Sequence, residues 1–158
     1  MLNVIVAYCK SRGIGINNKI PWNLHHDMKK FNRLTTGDGN NAVIMGRKTW
    51  ESLSKPLPNR INIVLSRTID KFEGAIVKKS LFEARDCCNN SWIIGGSSLY
   101  KEAIFGELVS KVYVTELQND FKCDTFFTKM PNNYKLISQS CAMQEKDIEF
   151  KYKLFKKV

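Results

Sequence analysis

The sequence predicts an α/β fold: a single domain with a mostly parallel central sheet of about eight strands, helices on both faces, and an antiparallel hairpin at the C-terminal end. Three observations predict it. Short runs rich in Val and Ile recur along the chain, several are separated by segments with helical spacing, and the last two strand-like runs follow each other with no helix between them.

The runs are LNVIVAYC, NAVIMG, INIVLS, GAIVKK, SWIIGG and KVYVTEL, too continuously apolar for strands with one wet face. Helical patterning covers Leu24 to Thr35, Lys48 to Leu53, Ser80 to Asn89 and Ser97 to Phe105. The first of these is expected to start after Asn23 as its N-cap, placing Leu24, Met28, Phe31 and Leu34 on one apolar stripe. The closing runs YKLISQSC and EFKYKLFKK are expected to pair with each other at a sheet edge.

All 158 residues are expected to form one domain, because no linker, repeat or low-complexity tract divides them. The opening MLNVIVAYCKSRG has an apolar run too short for a bilayer and no basic residues before it, so it reads as a strand in a cytoplasmic protein. Five cysteines, without CxxC spacing, are expected to be reduced thiols, and the adjacent His25 and His26 lack the partners a metal site requires. The net charge of +10 implies an anionic partner. Its basic residues are spread along the chain without a nucleic-acid motif, so a small polyanionic ligand fits at least as well as a nucleic acid.

Candidate chemistry lies at the strand ends, where α/β sheets bind ligands. NAVIMG runs into Arg47, Lys48 and Thr49, INIVLS into Arg67, and SWII into Gly95, Gly96, Ser97 and Ser98 ahead of a helix. Glycines there allow close approach of a ligand, and a helix N-terminus with nearby cations suits phosphate. Neither GxGxxG nor GxxxxGK is present. Cations rather than acids at these ends favour a nucleotide bearing an extra phosphate, NADP over NAD; ordinary solvated turns are the alternative. Asp27 shares the apolar stripe of the first helix, a costly position for a carboxylate unless a ligand completes its bonding. A helix acid tilted to solvent, or capping a neighbour, is the other reading.

From Leu2 to Phe155 the chain resembles the dihydrofolate reductase family in a series of ordered blocks. These are the first strand with Ile5 and Ala7, GIGINNKIPW, Asp27 and Phe31, VIMGRKTWESL, PLPNRINIVLSR, WIIGGSSLYKEA, VYVTEL and DTFF. The resemblance implies that NADPH reduces 7,8-dihydrofolate to 5,6,7,8-tetrahydrofolate for one-carbon metabolism and thymidylate synthesis. It also implies a monomer that binds antifolate inhibitors and needs neither nucleic acid nor membrane. Asp27 would be the acid of the pterin pocket, supported by Trp22 and Thr115. Ile5, Ala7, Phe31, Leu53, Leu57 and Ile94 would line the folate pocket, with Arg60 on the glutamate carboxylate. The cofactor would meet Ala7, Ile14, Gly15, Ile20, Gly46, Arg47, Lys48, Thr49, Leu65, Ser66, Arg67, Lys79 and the stretch Gly95, Gly96, Ser97, Ser98, Leu99, Tyr100. The Gly95 to Gly96 bond would be cis.

Three features depart from the family pattern. His25 and His26 flank the acid, where a protonated imidazole would lower its pKa. Asn59 stands where a glycine is common, although Asn tolerates left-handed turns. GGSSLYKEA resembles the vertebrate form while PWNLHHD resembles the bacterial one. A riboflavin-pathway reductase would share the cofactor segments but lack Asp27 and Arg60, and a basic nucleic-acid-binding module would bind no cofactor at all. The loop from Ser11 to Lys19, with two glycines and two asparagines, has the composition of a mobile cover.

Overall fold

A computed structural model describes residues 1–158. Strand β1 (Leu2–Tyr8) lies between two later strands, β6 (Ser91–Gly95) and β7 (Lys111–Leu117), and is parallel to both. The chain steps outward through β3 (Ala42–Gly46), β4 (Ile61–Leu65) and β5 (Ile76–Lys78). It then returns to insert β6 between β1 and β3. These pairings are parallel, as the continuous apolar runs predict.

Alternation along the strands separates two apolar layers. Val4, Val6, Ala42, Ile44 and Ile93 pack with α4 (Ser97–Phe105) and α3 (Leu81–Ala84) on one face. On the other, Val43, Met45, Val64 and Trp92 meet Leu34 of α1 (His25–Thr36) and Trp50 of α2 (Arg47–Ser52). Ile44, Met45 and Ile93 are fully buried, each contributing about 1.5–3 kcal/mol through burial of apolar surface.

Four details depart from the sequence expectation. The helix expected from Ser80 to Asn89 stops at Ala84, because Ser80 caps it at Glu83 N (3.2 Å) but Asp86, Cys87, Cys88, Asn89 and Asn90 follow, all weak helix formers. The C-terminal antiparallel pair forms as expected, but a further strand joins it. Long β11 (Ile148–Lys157) pairs with β7 on one side, and on the other with β9 (Tyr134–Gln139) and a further short strand, β10 (Met143–Glu145). Strand β2 (Gly13–Gly15) pairs with β8 (Thr125–Phe126) outside the main sheet, an element with too little apolar pattern to be read from sequence.

The fourth departure concerns α1. Asn23 does not cap it: the flanking residue is Leu24, without a side-chain bond, and the free backbone N–H groups of His25 and His26 donate to the Glu145 carboxylate at 2.7 and 2.9 Å. An anion is favoured at this positive end of the helix dipole. Helix α1 turns Leu24, Asp27, Phe31, Leu34 and Thr35 toward the sheet, whereas Met28 lies on its flank and is 52% exposed.

The two backbone donors hold the Glu145 carboxyl below its ordinary pKa, with burial opposing them weakly. A depressed carboxyl pKa adds stability that is present above the unfolded-state value and lost as pH falls through the folded one. Glu145→Gln is therefore expected to lower the thermal midpoint by a few degrees at neutral pH. In calorimetry against pH, the gap to wild type should close as pH falls below about 4.

Candidate active site

The carboxyl ends of β1, β3, β4 and β6 converge. Gly46 lies beside Leu65, and Met45 beside Gly95. Beyond them opens a cavity of about 1030 Å³. Every residue expected at the cofactor lines it, from Ala7, Ile14, Gly15 and Ile20 through Gly46, Arg47, Lys48, Thr49, Leu65, Ser66, Arg67 and Lys79 to the stretch Gly95–Tyr100. Ile20 does so from the rim, 58% exposed. The wall also includes Asn18 and Lys19 of the expected cover loop, and Ser52, Ser80, Glu102 and Thr125, polar residues that the sequence did not single out.

The Gly95–Gly96 bond is cis. Gly95 has φ +140°, and a Cβ there would stand 3.0 Å from Thr49 Oγ1, so both the backbone and the crowding require glycine. Next to it, α4 directs its N-terminus from Ser97 and Ser98 into the cavity. Arg47 is paired with Glu51 at 2.9 Å, an exposed i,i+4 pair that is weak enough to exchange for a ligand anion.

The loop flagged as a cover is held across the cavity mouth. Asn17 N donates to Asp124 Oδ2 (3.0 Å), Asp124 N to Gly15 O (2.9 Å), and Asn18 Nδ2 to Lys48 O (3.0 Å). Asn17 and Asn18 both have positive φ, which asparagine tolerates better than most residues. Asn59, at φ +60°, makes its turn without the glycine common there.

The acid lies beside this cavity, not in its wall. Ala7, which lines it, is in register with Thr115 on β7, and Thr115 Oγ1 donates to Asp27 Oδ1 at 2.6 Å. Asp27 is half-buried between α1 and the sheet. Burial raises its pKa; the Thr115 hydroxyl and the charges of Lys30 and His26 oppose that shift, and Glu145 adds to it.

The expected folate-pocket residues divide in the same way. Leu53 and Ile94 line the cavity, while Ile5 and Leu57 join them around the core of the α1/α2 face. Phe31 is half-buried on α1, one turn beyond Asp27. Arg60 is fixed by three bonds: Nε donates to Pro58 O (2.9 Å), and Nη1 to Asn32 Oδ1 (3.2 Å) and Thr35 Oγ1 (3.0 Å). Thr35 Oγ1 in turn donates to Phe31 O at 2.7 Å, tying the arginine to the same helix as the acid. Burial lowers the Arg60 pKa. Trp22 stands apart from the cavity, half-buried, with its ring 5.4 Å from that of Phe121 and packed with Leu24.

Sequence reasoning placed His26 and Thr115 beside the acid but missed Tyr152 and Lys30. Tyr152 on β11 is in register with Thr115, its hydroxyl is 3.0 Å from His26 Nδ1, and Lys30 Nζ lies 3.4 Å from its ring centroid. His25 and His26 are exposed, so neither occupies the acid's pocket. For Lys30 the local signal is its position four after His26 on the same helix.

Comparison with known proteins agrees with this geometry. The family model described as "Dihydrofolate reductase" matches residues 1–157. The chain is 39% identical over 181 residues to the dihydrofolate reductase of Sus scrofa, covering 99% of this chain and 97% of that protein. It is 36% identical over 176 residues to that of Drosophila melanogaster, covering 98% and 97%. It is 36% identical over 182 residues to the viral dihydrofolate reductase of Saimiriine herpesvirus 2, covering 100% and 85%. A sheet of this order, an acid held by a strand threonine and a cavity across three strand ends thus accompany a match over nearly the whole length: the chain belongs to the dihydrofolate reductase family.

Proposed function

We propose that this chain, acting as one domain and a cytoplasmic monomer, reduces 7,8-dihydrofolate to 5,6,7,8-tetrahydrofolate with NADPH. The observation that carries this reading is the half-buried Asp27 carboxylate, bonded by Thr115 and adjoining the cavity through Ala7. The acid and Arg60 favour folate over the substrate of a riboflavin-pathway reductase.

NADPH fits the cavity: the volume is adequate, Gly95 admits close approach, and α4 offers backbone N–H groups to a phosphate. Arg47, Lys48, Arg67 and Lys79 surround it as cations for the extra phosphate that distinguishes NADPH from NADH. Bound there, NADPH supplies the hydride. Ile14, Gly15 and Ile20 cover the site and keep water from it, with the loop pinned by Asp124 and Lys48.

Asp27 orients the substrate. A pterin offers two adjacent donors, its 2-amino group and N3, to a planar carboxylate with two acceptor oxygens. Thr115 holds one of those oxygens and so fixes the plane in which the ring must lie. The negative charge favours a proton at N5, which water delivers because the acid serves the far side of the ring. Phe31, Leu53, Leu57, Ile5 and Ile94 present apolar surface to the folate, and Arg60 takes the glutamate carboxylate in a two-point grip. Trp22 has a supporting role here, bracing the segment that leads into α1 against Phe121.

Loss of NADPH absorbance in the presence of dihydrofolate tests the activity, and a folded sample without turnover contradicts it. Asp27→Asn should retain NADPH binding while turnover at neutral pH falls by at least about a hundredfold. Unchanged kinetics would remove the acid from the mechanism. The same variant should be more stable than wild type at neutral pH without ligands: with a raised carboxyl pKa, stability is lost as pH rises from the unfolded-state value through the folded one. The difference should vanish in acid, where Asp27 is protonated. Arg60→Leu should weaken binding of glutamate-bearing folates by about a hundredfold, and an equal loss for a bare pterin would argue against tail recognition.

A further inference from the structure

The chemistry described above uses Asp27 and Thr115 but leaves the adjoining charges without a task. Across β1, β7 and β11, Ala7, Thr115 and Tyr152 form one row in register. Helix α1 crosses this row with Asp27 bonded to Thr115, while His26 and Lys30, one turn apart, straddle Tyr152. Lys30 Nζ lies 3.4 Å from the centroid of that ring, close enough for a cation–π contact. Tyr152 is itself braced, with the Phe150 ring 5.6 Å away in a T-shaped contact and its hydroxyl bonded to His26.

This arrangement confines a flexible side chain. An unrestrained lysine spreads its charge over many rotamers and is strongly hydrated, so its field at any one point is weak. Held on the ring, the Lys30 ammonium remains on the helix face that carries Asp27, at the i,i+3 spacing that makes neighbours of two helical side chains. Five groups adjoin or act on Asp27: His26 and Lys30 from α1, Glu145 from β10, Tyr152 from β11 and Thr115 from β7, while Arg33 of α1 acts on Lys30 and Tyr152. Glu145 is engaged by the helix N–H groups. The Tyr152 hydroxyl is kept neutral by burial, which pushes it up to about 12. Lys30 and His26 are the cations that lower the acid's pKa, and Asp27 in turn opposes the lowering that burial imposes on Lys30.

We propose that Lys30 is a positioning residue of the reaction: seated on the Tyr152 ring, its ammonium governs the pH at which Asp27 changes charge, and with it the pH range of turnover. The inference rests on the folate reading above. It assigns Lys30 no contact with substrate. Burial alone would leave the acid protonated to higher pH, where it would offer the pterin one acceptor and one O–H instead of two acceptors.

The test is the pH profile of hydride transfer by wild type, Lys30→Met and Lys30→Arg. Losing the cation should move the midpoint assigned to Asp27 upward by about half a pH unit, whereas Lys30→Arg should keep it near wild type. High salt should narrow the difference between wild type and Lys30→Met. In the ligand-free proteins, the Asp27 carboxyl carbon resonance should titrate with the same upward shift, a reading independent of activity. An active wild type with an unmoved Lys30→Met midpoint overturns the inference and leaves the function standing. So does an equal shift in Lys30→Met and Lys30→Arg, which would make packing, not charge, the cause. A wild type without turnover overturns the folate reading, and the carboxyl resonance then still decides whether Lys30 controls the acid.

Discussion

The hydrogen bond from Thr115 to Asp27 joins the two halves of this structure. It crosses from central strand β7 to helix α1, and satisfies one oxygen of a half-buried carboxylate. The proposed function assigns the other oxygen to the paired N–H groups of a pterin. The rest of the architecture serves that position. Glu145 fixes where α1 begins, Thr35 and Arg60 tie its far end to the strand side, and Ala7 connects Thr115 to the cavity wall.

A core built only for stability would not keep this group. Burial raises the acid's pKa, so keeping its ionised form in that position costs the fold stability. Family membership gives that cost a purpose, since local destabilisation at a binding site is the usual companion of activity. The surplus positive charge also has a partial explanation in two places: cations at the cavity where a phosphorylated cofactor fits, and Lys30 against Tyr152 beside the acid.

How much was legible in the sequence follows from chain distance. The cofactor face was readable because each of its parts is local: strand, glycine and helix start occur within a few residues, as in IMGRKT and IIGGSS. Asp27 was noticeable because it interrupts an apolar stripe. Its partner Thr115, 88 residues away, came only from the resemblance to a known family, and Tyr152, 126 residues from the His26 it bonds, was not found at all. The helix start failed for the same reason. Asn23 satisfies every local rule for a cap, yet a carboxylate brought from β10 by the sheet occupies the free N–H groups first. Short strands such as β2, β8 and β10 lie beyond pattern reading, because two or three residues cannot display a period.

The central claim is that a desolvated carboxylate awaits a donor-bearing heterocycle, and proton uptake on binding measures it most directly. A 2,4-diaminopyrimidine antifolate should be titrated calorimetrically into the protein at a pH above the ligand's own pKa, in two buffers of different ionisation enthalpy. Close to one proton taken up per ligand by wild type, and almost none by Asp27→Asn, is the predicted result. Binding of equal strength to both proteins without proton uptake would contradict the account.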